Sequence, residues 1–328
     1  MSTPAVAILD DYQKVALAAA DWSSLAGRAT ITTFHDGWAS EDACAAALAP
    51  FEIVVLMRER TPFPASLIAR LPKLRLIVLT GHRTTTLDIA ECTRRGILIT
   101  HTSGNPSTAT AELAFGLIIA CARALPRAFA NMAAGGWEGD VPMGIPLAGK
   151  RLGIVGLGLL GREVARMGLA FRMDVVAWSE NLTAEAAAAH GVRRVQKAEL
   201  FATADAVSLH LVLSPRTRQI VGQPELAAMK QGAILVNTSR AGLIDSAALM
   251  QAIKARRITA GLDVFDTEPL PADHPLRSMP NAVLTPHLGY VVNDVFEYYY
   301  RDVVEDIAAW LDGKPIRILN PQVQPAQP

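Results

Sequence analysis

Three side chains in the last third of the chain could together reduce a carbonyl group. Arg240, Glu268 and His287 follow one another in the sequence and supply a guanidinium, a carboxylate and an imidazole. A planar guanidinium can hold a substrate carboxylate through two parallel hydrogen bonds. An imidazole titrates near neutrality and can protonate an oxygen as hydride reaches carbon, while a neighbouring carboxylate would hold the ring and favour its protonated form. These residue types indicate hydride transfer to a 2-oxo acid.

Each of the three side chains also has an ordinary structural interpretation. His287, which follows Thr285 and Pro286, could cap a loop, Arg240 could be a surface arginine and Glu268 could be a solvated loop charge. Their order behind a glycine motif favours chemistry, because a dinucleotide bound upstream would bring the hydride that the reaction needs.

The glycine motif predicts a dinucleotide cradle. Gly156, Gly158 and Gly161 form the pattern G-x-G-x-x-G between a strand-like run that ends at Val155 and a helical run over residues 162–171. The first glycine permits a tight turn, the second lets a pyrophosphate approach backbone amides, and the third lets the helix pack closely on the sheet. A different ligand on the same cradle, such as an adenosyl methyl donor, stays an alternative because a fold does not fix a function.

The choice between NAD and NADP depends on the residues after the second strand of this unit. Where an acidic residue usually binds the ribose, the chain has Ser179, followed by Glu180. Ser179 removes a charge that would repel a 2′-phosphate, whereas Glu180 could accept from a 2′-hydroxyl, and no arginine or lysine follows directly. The sequence therefore favours NAD(H) and leaves NADP(H) open.

Short β-rich runs alternate with alanine-rich helical runs through the whole chain, which is typical of βαβ units and parallel sheets. The first series of predicted strands is Ala5–Leu9, Ile53–Leu56, Leu76–Leu79 and Ile97–Thr100. The second series, with the strand number of a dinucleotide-binding sheet, is Arg151–Val155, Asp174–Trp178, Ala206–Leu211, Ala233–Asn237, Ile258–Asp263 and Ala282–Leu284. Helices over about Thr108–Ala124 and Asp294–Leu311, the latter with Asn293 as its N-cap, would join the domains. We predict an α/β fold with two doubly wound parallel sheets.

Composition narrows the class of protein and of partner. The chain has 328 residues, is 51% hydrophobic and carries 31 basic against 31 acidic side chains, so we expect a cytoplasmic protein that binds a small molecule and not a nucleic acid. The most apolar run, Leu113–Ala122, is far too short to span a membrane. Cys44, Cys92 and Cys121 are widely spaced and predict neither a disulfide framework nor a metal site, so buried thiols are expected.

Four segments in order resemble the signature segments of the D-isomer-specific 2-hydroxyacid dehydrogenase family, and the resemblance covers nearly the whole chain. The segments are Val155–Gly161 (VGLGLLG), Asn237–Asp245 (NTSRAGLID), Asp263–Pro269 (DVFDTEP) and Thr285–Gly289 (TPHLG). The family includes phosphoglycerate, glyoxylate/hydroxypyruvate and D-lactate dehydrogenases.

The resemblance implies a role for each residue that matches a motif. His287 would be the acid/base, Glu268 its partner and Arg240 the substrate anchor, while Asp263 would receive the nicotinamide carboxamide. The residues expected to contact the cofactor are Gly156, Gly158, Leu159, Leu160, Gly161, Ser179, Glu180, Leu211, Thr238 and Asp263.

The resemblance also implies the domain organisation and the assembly. A flavodoxin-like substrate domain would comprise residues 1–104 and 293–328, with a Rossmann NAD(P)-binding domain inserted at residues 105–292. The family usually forms homodimers. Because the chain ends shortly after the closing helix, we expect no appended regulatory domain.

Departures from the family pattern concern the substrate. A Gly-x-Gly loop of the family offers backbone amides to the substrate carboxylate, whereas this chain has Gly81, His82 and Arg83. We expect these three residues to bind substrate. Arg83 would add a second positive charge and favour a larger or doubly anionic oxo acid, unless its guanidinium points to solvent.

The sequence predicts an NAD(P)-dependent enzyme that interconverts a small 2-oxo acid and a D-2-hydroxy acid. An NAD(H)-dependent sensor of the same fold is the alternative from another class of protein, although the intact catalytic side chains argue against it. Phosphoglycerate or formate-type dehydrogenase activity is the alternative among enzymes.

Overall fold

The computed structural model describes residues 3–82, 84–103 and 108–323. These residues form two compact units: the first lies within Met1–Ser107 and Val292–Pro328, and the second is Thr108–Val291. Each unit is built around a parallel β-sheet, and the predicted fold class is confirmed.

The elements are numbered along the described part of the chain. Its strands are β1 (Ala5–Ile8), β2 (Thr30–Thr33), β3 (Ile53–Leu56), β4 (Leu76–Leu79), β5 (Leu98–His101), β6 (Arg151–Val155), β7 (Asp174–Trp178), β8 (Arg193–Arg194), β9 (Ala206–Leu209), β10 (Ala233–Asn237), β11 (Ile258–Leu262) and β12 (Ala282–Leu284). Its α-helices are α1 (Glu41–Leu48), α2 (Ala65–Ile68), α3 (Ile89–Arg94), α4 (Ala109–Ala122), α5 (Leu125–Ala133), α6 (Leu159–Ala170), α7 (Ala184–Ala188), α8 (Lys197–Thr203), α9 (Gln223–Ala228), α10 (Ser246–Lys254) and α11 (Asn293–Leu311).

The sheet of the first unit has the strand order β2-β1-β3-β4-β5, which is the flavodoxin-like order. Its central strands β3 (IVVL) and β4 (LIVL) are buried at every position, as expected when helices cover both faces of a parallel sheet. Strand β2 (TITT) lies at the edge and was not predicted, because only one of its four residues is strongly apolar.

The sheet of the second unit has the order β12-β11-β10-β9-β6-β7-β8, a Rossmann arrangement with one further strand. Strand β8 was not predicted because it consists of only two arginines. All pairings are parallel, so the loops that follow β6, β7, β9, β10, β11 and β12 leave the same edge. Ligands of open α/β sheets bind at that edge.

Side-chain caps mark the starts of α1 and α10, whereas the start of α11 differs from its prediction. The side chain of Ser40 accepts from the amide of Ala43 at the start of α1, and Asp245 accepts from Ala248 at the start of α10. The prediction that Asn293 caps the closing helix is wrong. Asn293 is already the first helical residue, and Val292 in extended conformation precedes it without a side-chain cap.

The cysteines are thiols without disulfide partners. Cys44 and Cys92 are buried and Cys121 is half-buried, and burial raises the pKa of each thiol to about 12. At neutral pH these side chains therefore remain protonated and act as small apolar groups.

Among the described residues, no single helix is long and apolar enough to cross a membrane; α4 and α5 meet the length and composition criterion only as a pair bent by 67°.

A buried ionic cluster fixes α11 within the first unit. Arg317 donates to Asp306 Oδ1 at 2.9 Å and to Glu305 Oε2 at 3.0 Å, and Asp302 Oδ2 accepts from the amide of Ser103 at 2.8 Å. Burial raises the pKa of Asp306 to about 7, an effect that Arg317 opposes and the charge of Asp302 reinforces. Because burial disfavours the charged form of this carboxyl group, Asp306 keeps its proton to a higher pH in the folded chain than in the unfolded chain.

We predict that this proton makes the stability of α11 depend on pH. Between the ordinary aspartate pKa of 3.8 and about 7, the folded state binds more protons than the unfolded state, so the free energy of opening falls as pH rises. In Asp306→Asn the decrease should disappear. Hydrogen exchange of the α11 amides at pH 5 and pH 8, corrected for the intrinsic rate, measures the opening; an equal pH dependence in both proteins would contradict the prediction.

Candidate active site

His287 and Glu268 form a directly hydrogen-bonded pair in the second unit. Nδ1 of His287 lies 2.6 Å from Oε2 of Glu268, and the two side chains are 30% and 35% exposed. A carboxylate can only accept, so Nδ1 carries the proton and donates it to this bond. The arrangement orients the ring and directs the other nitrogen, Nε2, away from Glu268.

The second oxygen of Glu268 is held by the backbone. Oε1 accepts from the amide of Phe265 at 2.8 Å, three residues earlier in the loop that follows β11. Burial tends to raise the pKa of Glu268, but the hydrogen bond and charge of His287, the Phe265 amide and the charge of Arg240 together lower it below the ordinary value. Glu268 is therefore ionised at neutral pH.

Asp263 organises the loop that carries His287. Its carboxylate is fully buried and accepts from the hydroxyl of Thr285 at 2.6 Å, the amide of Leu288 at 2.7 Å and the amide of Gly289 at 3.0 Å. Burial raises the pKa of Asp263, and these hydrogen bonds together with the charge of His287 oppose that rise. These hydrogen bonds hold residues that precede and follow His287 in the sequence, so they fix the loop on both sides of it.

The backbone of His287 requires such support. Its φ is +56°, a left-handed conformation that is uncommon for a residue with a side chain. Residues in this region cost free energy and persist where the surroundings over-determine them. The hydroxyl of Thr110 on α4 adds a further restraint, since it donates to the carbonyl of Gly289 at 2.7 Å.

Arg240 follows β10, at the same sheet edge as the loops after β11 and β12. Its Nη1 donates to the carbonyl of Ser239 at 2.7 Å, and its own carbonyl accepts from the side chain of Asn237 at 2.9 Å. Asn237 also accepts from the amide of Ser239 at 3.0 Å. The Asn-Thr-Ser-Arg segment is therefore folded on itself, and the charge of Arg240 is near enough to Glu268 to affect its pKa.

The glycine cradle has the geometry that a dinucleotide requires. Gly156 has a φ of +100°, and a Cβ there would lie 2.8 Å from the carbonyl oxygen of His210. A Cβ on Gly161 would lie 2.0 Å from the carbonyl oxygen of Gly156, so only glycine lets α6 approach the loop this closely. Gly158, in contrast, faces open space among the described residues. Leu159 begins α6 and is 69% exposed, so the first helical amides lie beside that space.

Two buried polar atoms at the sheet edge that carries the cradle lack a hydrogen-bond partner among the described residues. They are Oγ1 of Thr238 and Nδ1 of His210. Burial lowers the pKa of His210 to about 4, and its Nε2 is paired with the hydroxyl of Ser208 at 2.9 Å. Such atoms are costly unless a ligand or water completes their hydrogen bonds. Together with the open cradle, they fit a bound nicotinamide dinucleotide.

The remaining residues predicted to contact the cofactor lie along the same edge. The side chain of Leu211 reaches within 2.9 Å of the position that a Cβ on Gly156 would take. Leu160 is partly buried against the core of this unit, while Ser179 and the exposed Glu180 directly follow β7. Among the described residues, no group of His, Cys, Asp or Glu side chains is arranged to hold a metal ion.

The predicted substrate loop belongs to the first unit. Gly81 has a φ of +82°, and its amide donates to the hydroxyl of Thr102 at 2.7 Å. His82 is exposed, with its ring 6.4 Å from the ring of His101. Arg83 lies outside the described residues, so its predicted charge stays a prediction.

Sequence reasoning did not find several residues that support these sites. The guanidinium of Arg58, which follows β3, covers Gly81 so closely that a Cβ there would lie 1.8 Å from Nη1. The hydroxyl of Thr285 donates to Asp263, and the amide of Phe265 donates to Glu268. Arg58 lies two residues after the buried strand β3, and the sequence alone could have indicated such a position. The contacts of Thr285 and of the Phe265 amide depend on how a loop folds back.

Comparisons with known proteins agree with this geometry. The family model for the NAD-binding domain of D-isomer specific 2-hydroxyacid dehydrogenases matches residues 115–289. A D-3-phosphoglycerate dehydrogenase of Methanocaldococcus jannaschii is 36% identical over 263 residues, covering 80% of this chain and 50% of that protein. A glyoxylate reductase of Thermococcus litoralis is 36% identical over 271 residues, covering 80% of this chain and 82% of that one.

A solved structure extends the likeness to the whole fold. The phosphoglycerate oxidoreductase of Vibrio cholerae is 39% identical, with a TM-score of 0.88 over 94% of this chain and 98% of that one. The chain spans about half the length of the phosphoglycerate dehydrogenases it matches. The matched domain, its glycine cradle and the order of its motifs show that this chain belongs to the D-isomer specific 2-hydroxyacid dehydrogenase family.

Proposed function

We propose that the protein interconverts a small 2-oxo acid and a D-2-hydroxy acid with a nicotinamide cofactor. The observation that carries the proposal is the 2.6 Å contact between His287 Nδ1 and Glu268 Oε2, which leaves Nε2 as the proton donor. When bound, the reduced nicotinamide supplies hydride to the substrate carbonyl carbon. Protonated His287 gives its Nε2 proton to the carbonyl oxygen, and Arg240 holds the substrate carboxylate. In the reverse direction His287 accepts the hydroxyl proton.

In the same proposal, the ionised Glu268 orients the imidazole ring of His287 and balances its positive charge. Its carboxylate stabilises the positive imidazole and holds Nδ1, so the proton that moves is the one on Nε2. Asp263 acts as a positioning residue because it holds the loop of His287. The further role expected for Asp263, receiving the nicotinamide carboxamide, stays a prediction.

NAD(H) is the proposed cofactor. The exposed Glu180 directly after β7 offers an acceptor for a ribose 2′-hydroxyl, and its charge disfavours a 2′-phosphate. Gly156, Gly158 and Gly161 with the first amides of α6 would hold the pyrophosphate. Thr238 and His210 each offer a buried polar atom that has no partner within the described part of the chain.

The proposed substrates are small 2-oxo acids such as glyoxylate and hydroxypyruvate, after the names of relatives. Gly81, His82 and Arg83 of the first unit are proposed to contribute to substrate binding, with Arg58 as an additional positive charge beside Gly81. The same proposal includes the predicted domain bounds: a cofactor-binding domain at residues 105–292, inserted in a substrate domain of residues 1–104 and 293–328. It also includes a cytoplasmic location.

We further propose a homodimer that buries the apolar face of α5. None of the residues of α5 is buried, and Phe129 and Met132 on one face are 66% and 56% exposed. Trp137 and Met143, shortly after the helix, are 72% and 97% exposed. Large exposed apolar side chains of this kind are typical of an interaction site, and a second copy of the chain is the proposed partner.

The central test is reduction of oxo acids with His287→Ala as the comparison. We expect oxidation of NADH in preference to NADPH with glyoxylate, hydroxypyruvate, pyruvate, phenylpyruvate or 2-oxoglutarate, followed at the reduced-nicotinamide absorbance. Loss of the proton donor should reduce kcat by about 10²- to 10⁴-fold with cofactor affinity retained. The exposed His190 offers a control, since His190→Ala should leave kcat unchanged. Equal turnover in wild type and His287→Ala would exclude the mechanism.

A second prediction concerns the positioning role of Asp263. In Asp263→Asn one oxygen is replaced by a donor, so the loop loses part of its anchoring at Leu288 and Gly289. We expect kcat to fall by about 10²-fold, because small displacements of a reacting group have effects of that size, and exchange of both amides to accelerate. Asp273→Asn, at an exposed loop position, is the control. Unchanged amide exchange in Asp263→Asn would refute the positioning role.

A third prediction concerns assembly. Phe129→Lys combined with Met132→Lys should convert a dimer into a monomer at micromolar concentration in analytical ultracentrifugation, because charges would be buried in the interface. Leu17→Lys, at an apolar position of the first unit that is 54% exposed, should leave the assembly unchanged. A dimer that persists in the double variant would place the interface elsewhere.

A further inference from the structure

A cavity lies beneath the loop that carries Glu268, on the side of α10. Its volume is about 130 Å³, and it lies between α10 and residues of the segment from Val264 to Leu276, with an opening toward solvent. The walls include Leu249 and Met250 of α10 together with Leu262 and Val264. Ser246 and Asp266, which are joined by a hydrogen bond, lie at its rim. None of the three fingerprint glycines lines this cavity.

The size and chemistry of the cavity define what it can hold. Its volume is close to the roughly 150 Å³ of an apolar cavity that accepts benzene, so it has room for a single ring with one small substituent. A dinucleotide is far too large. Apolar walls penalise a charged ligand, whereas the polar rim at Ser246 and Asp266 can accept one hydroxyl group. The fitting ligand is a neutral aromatic or branched molecule of about six to eight non-hydrogen atoms.

Phe265 connects the cavity to the catalytic pair. Phe265 lines the cavity, and its amide donates to Glu268 Oε1 at 2.8 Å. Glu268 in turn holds His287 at 2.6 Å. A ligand that restrains Phe265 therefore restrains the carboxylate that orients His287. We propose that this cavity binds a small neutral ring compound and that the bound compound stabilises the Phe265–Glu268 contact. An effect of this binding on turnover rests on the proposed function.

Phenol is the probe for the first test, by isothermal titration calorimetry and hydrogen exchange with and without NADH. Its size fits the cavity, and its hydroxyl can reach the polar rim. We expect one saturable site per chain with a Kd on the order of 0.1 to 1 mM, as expected for a well-packed ligand of this size. Bound phenol should slow exchange at the Phe265 amide.

Two substitutions are designed to fill the cavity with an indole ring. Leu249→Trp replaces a buried wall residue, and Met250→Trp, at a half-buried position, serves if the first fails to fold. Each should weaken phenol binding at least tenfold and abolish the effect on the Phe265 amide. Leu213→Trp is the matched control, because Leu213 packs against the same core and does not line the cavity. It should bind phenol like the wild type.

The outcomes separate this inference from the proposed function. Binding and amide exchange need no turnover, so phenol binding by a protein that reduces no oxo acid would support the site while the proposed function failed. Absence of saturable binding, or equal binding in both tryptophan variants, would overturn the site even if oxo acids are reduced. Binding that leaves the Phe265 amide unaffected would overturn the coupling to Glu268.

Discussion

The buried carboxylate of Asp263 is the constraint on which the candidate active site depends. It is fully shielded from solvent, and a buried carboxylate is tolerated only where donors replace the lost water. Its hydrogen-bond donors among the described residues are the hydroxyl of Thr285 and the amides of Leu288 and Gly289. Satisfying this charge therefore fixes the loop on both sides of His287. That fixed loop holds the left-handed backbone of His287, a conformation that histidine tolerates better than most residues with a side chain.

The hydrogen bonds of Asp263 help to position the pair of His287 and Glu268, although neither residue of the pair lies on a helix or strand. Both residues lie on loops, and both side chains remain about one third exposed. The precision comes instead from backbone hydrogen bonds: the Phe265 amide holds one oxygen of Glu268, and the other oxygen holds the ring. Such supporting contacts usually decide whether a catalytic group keeps a productive orientation. They also explain how a cavity next to Phe265 can affect His287, the proposed acid/base.

The Rossmann sheet brings these loops to one edge. Parallel strands direct their carboxyl ends the same way, so Arg240 after β10, Asp263 after β11 and His287 after β12 are neighbours although they are up to 47 residues apart in the printed sequence. The glycine cradle after β6 lies at the same edge, near the point where the strand order reverses. Two of its glycines are required by close backbone approaches, and the third leaves open the space that a pyrophosphate needs.

The amino-acid sequence by itself determined the class of fold and the glycine cradle, and it singled out the three side chains that are proposed to react. Each of these depends on local patterns: apolar runs that predict buried parallel strands, glycine spacing that predicts a tight turn before a helix, and residue types that suit a chemical step. Strands β2 and β8 were missed because edge strands are half-exposed and lack an apolar run. Only the tertiary structure decided that Asp263 holds the loop of His287, that Phe265 holds Glu268, and that Arg58 covers Gly81. These contacts join residues whose loops fold back on each other, and the direction of a side chain in such a loop is set by packing and by hydrogen-bond satisfaction, which no spacing along the chain encodes.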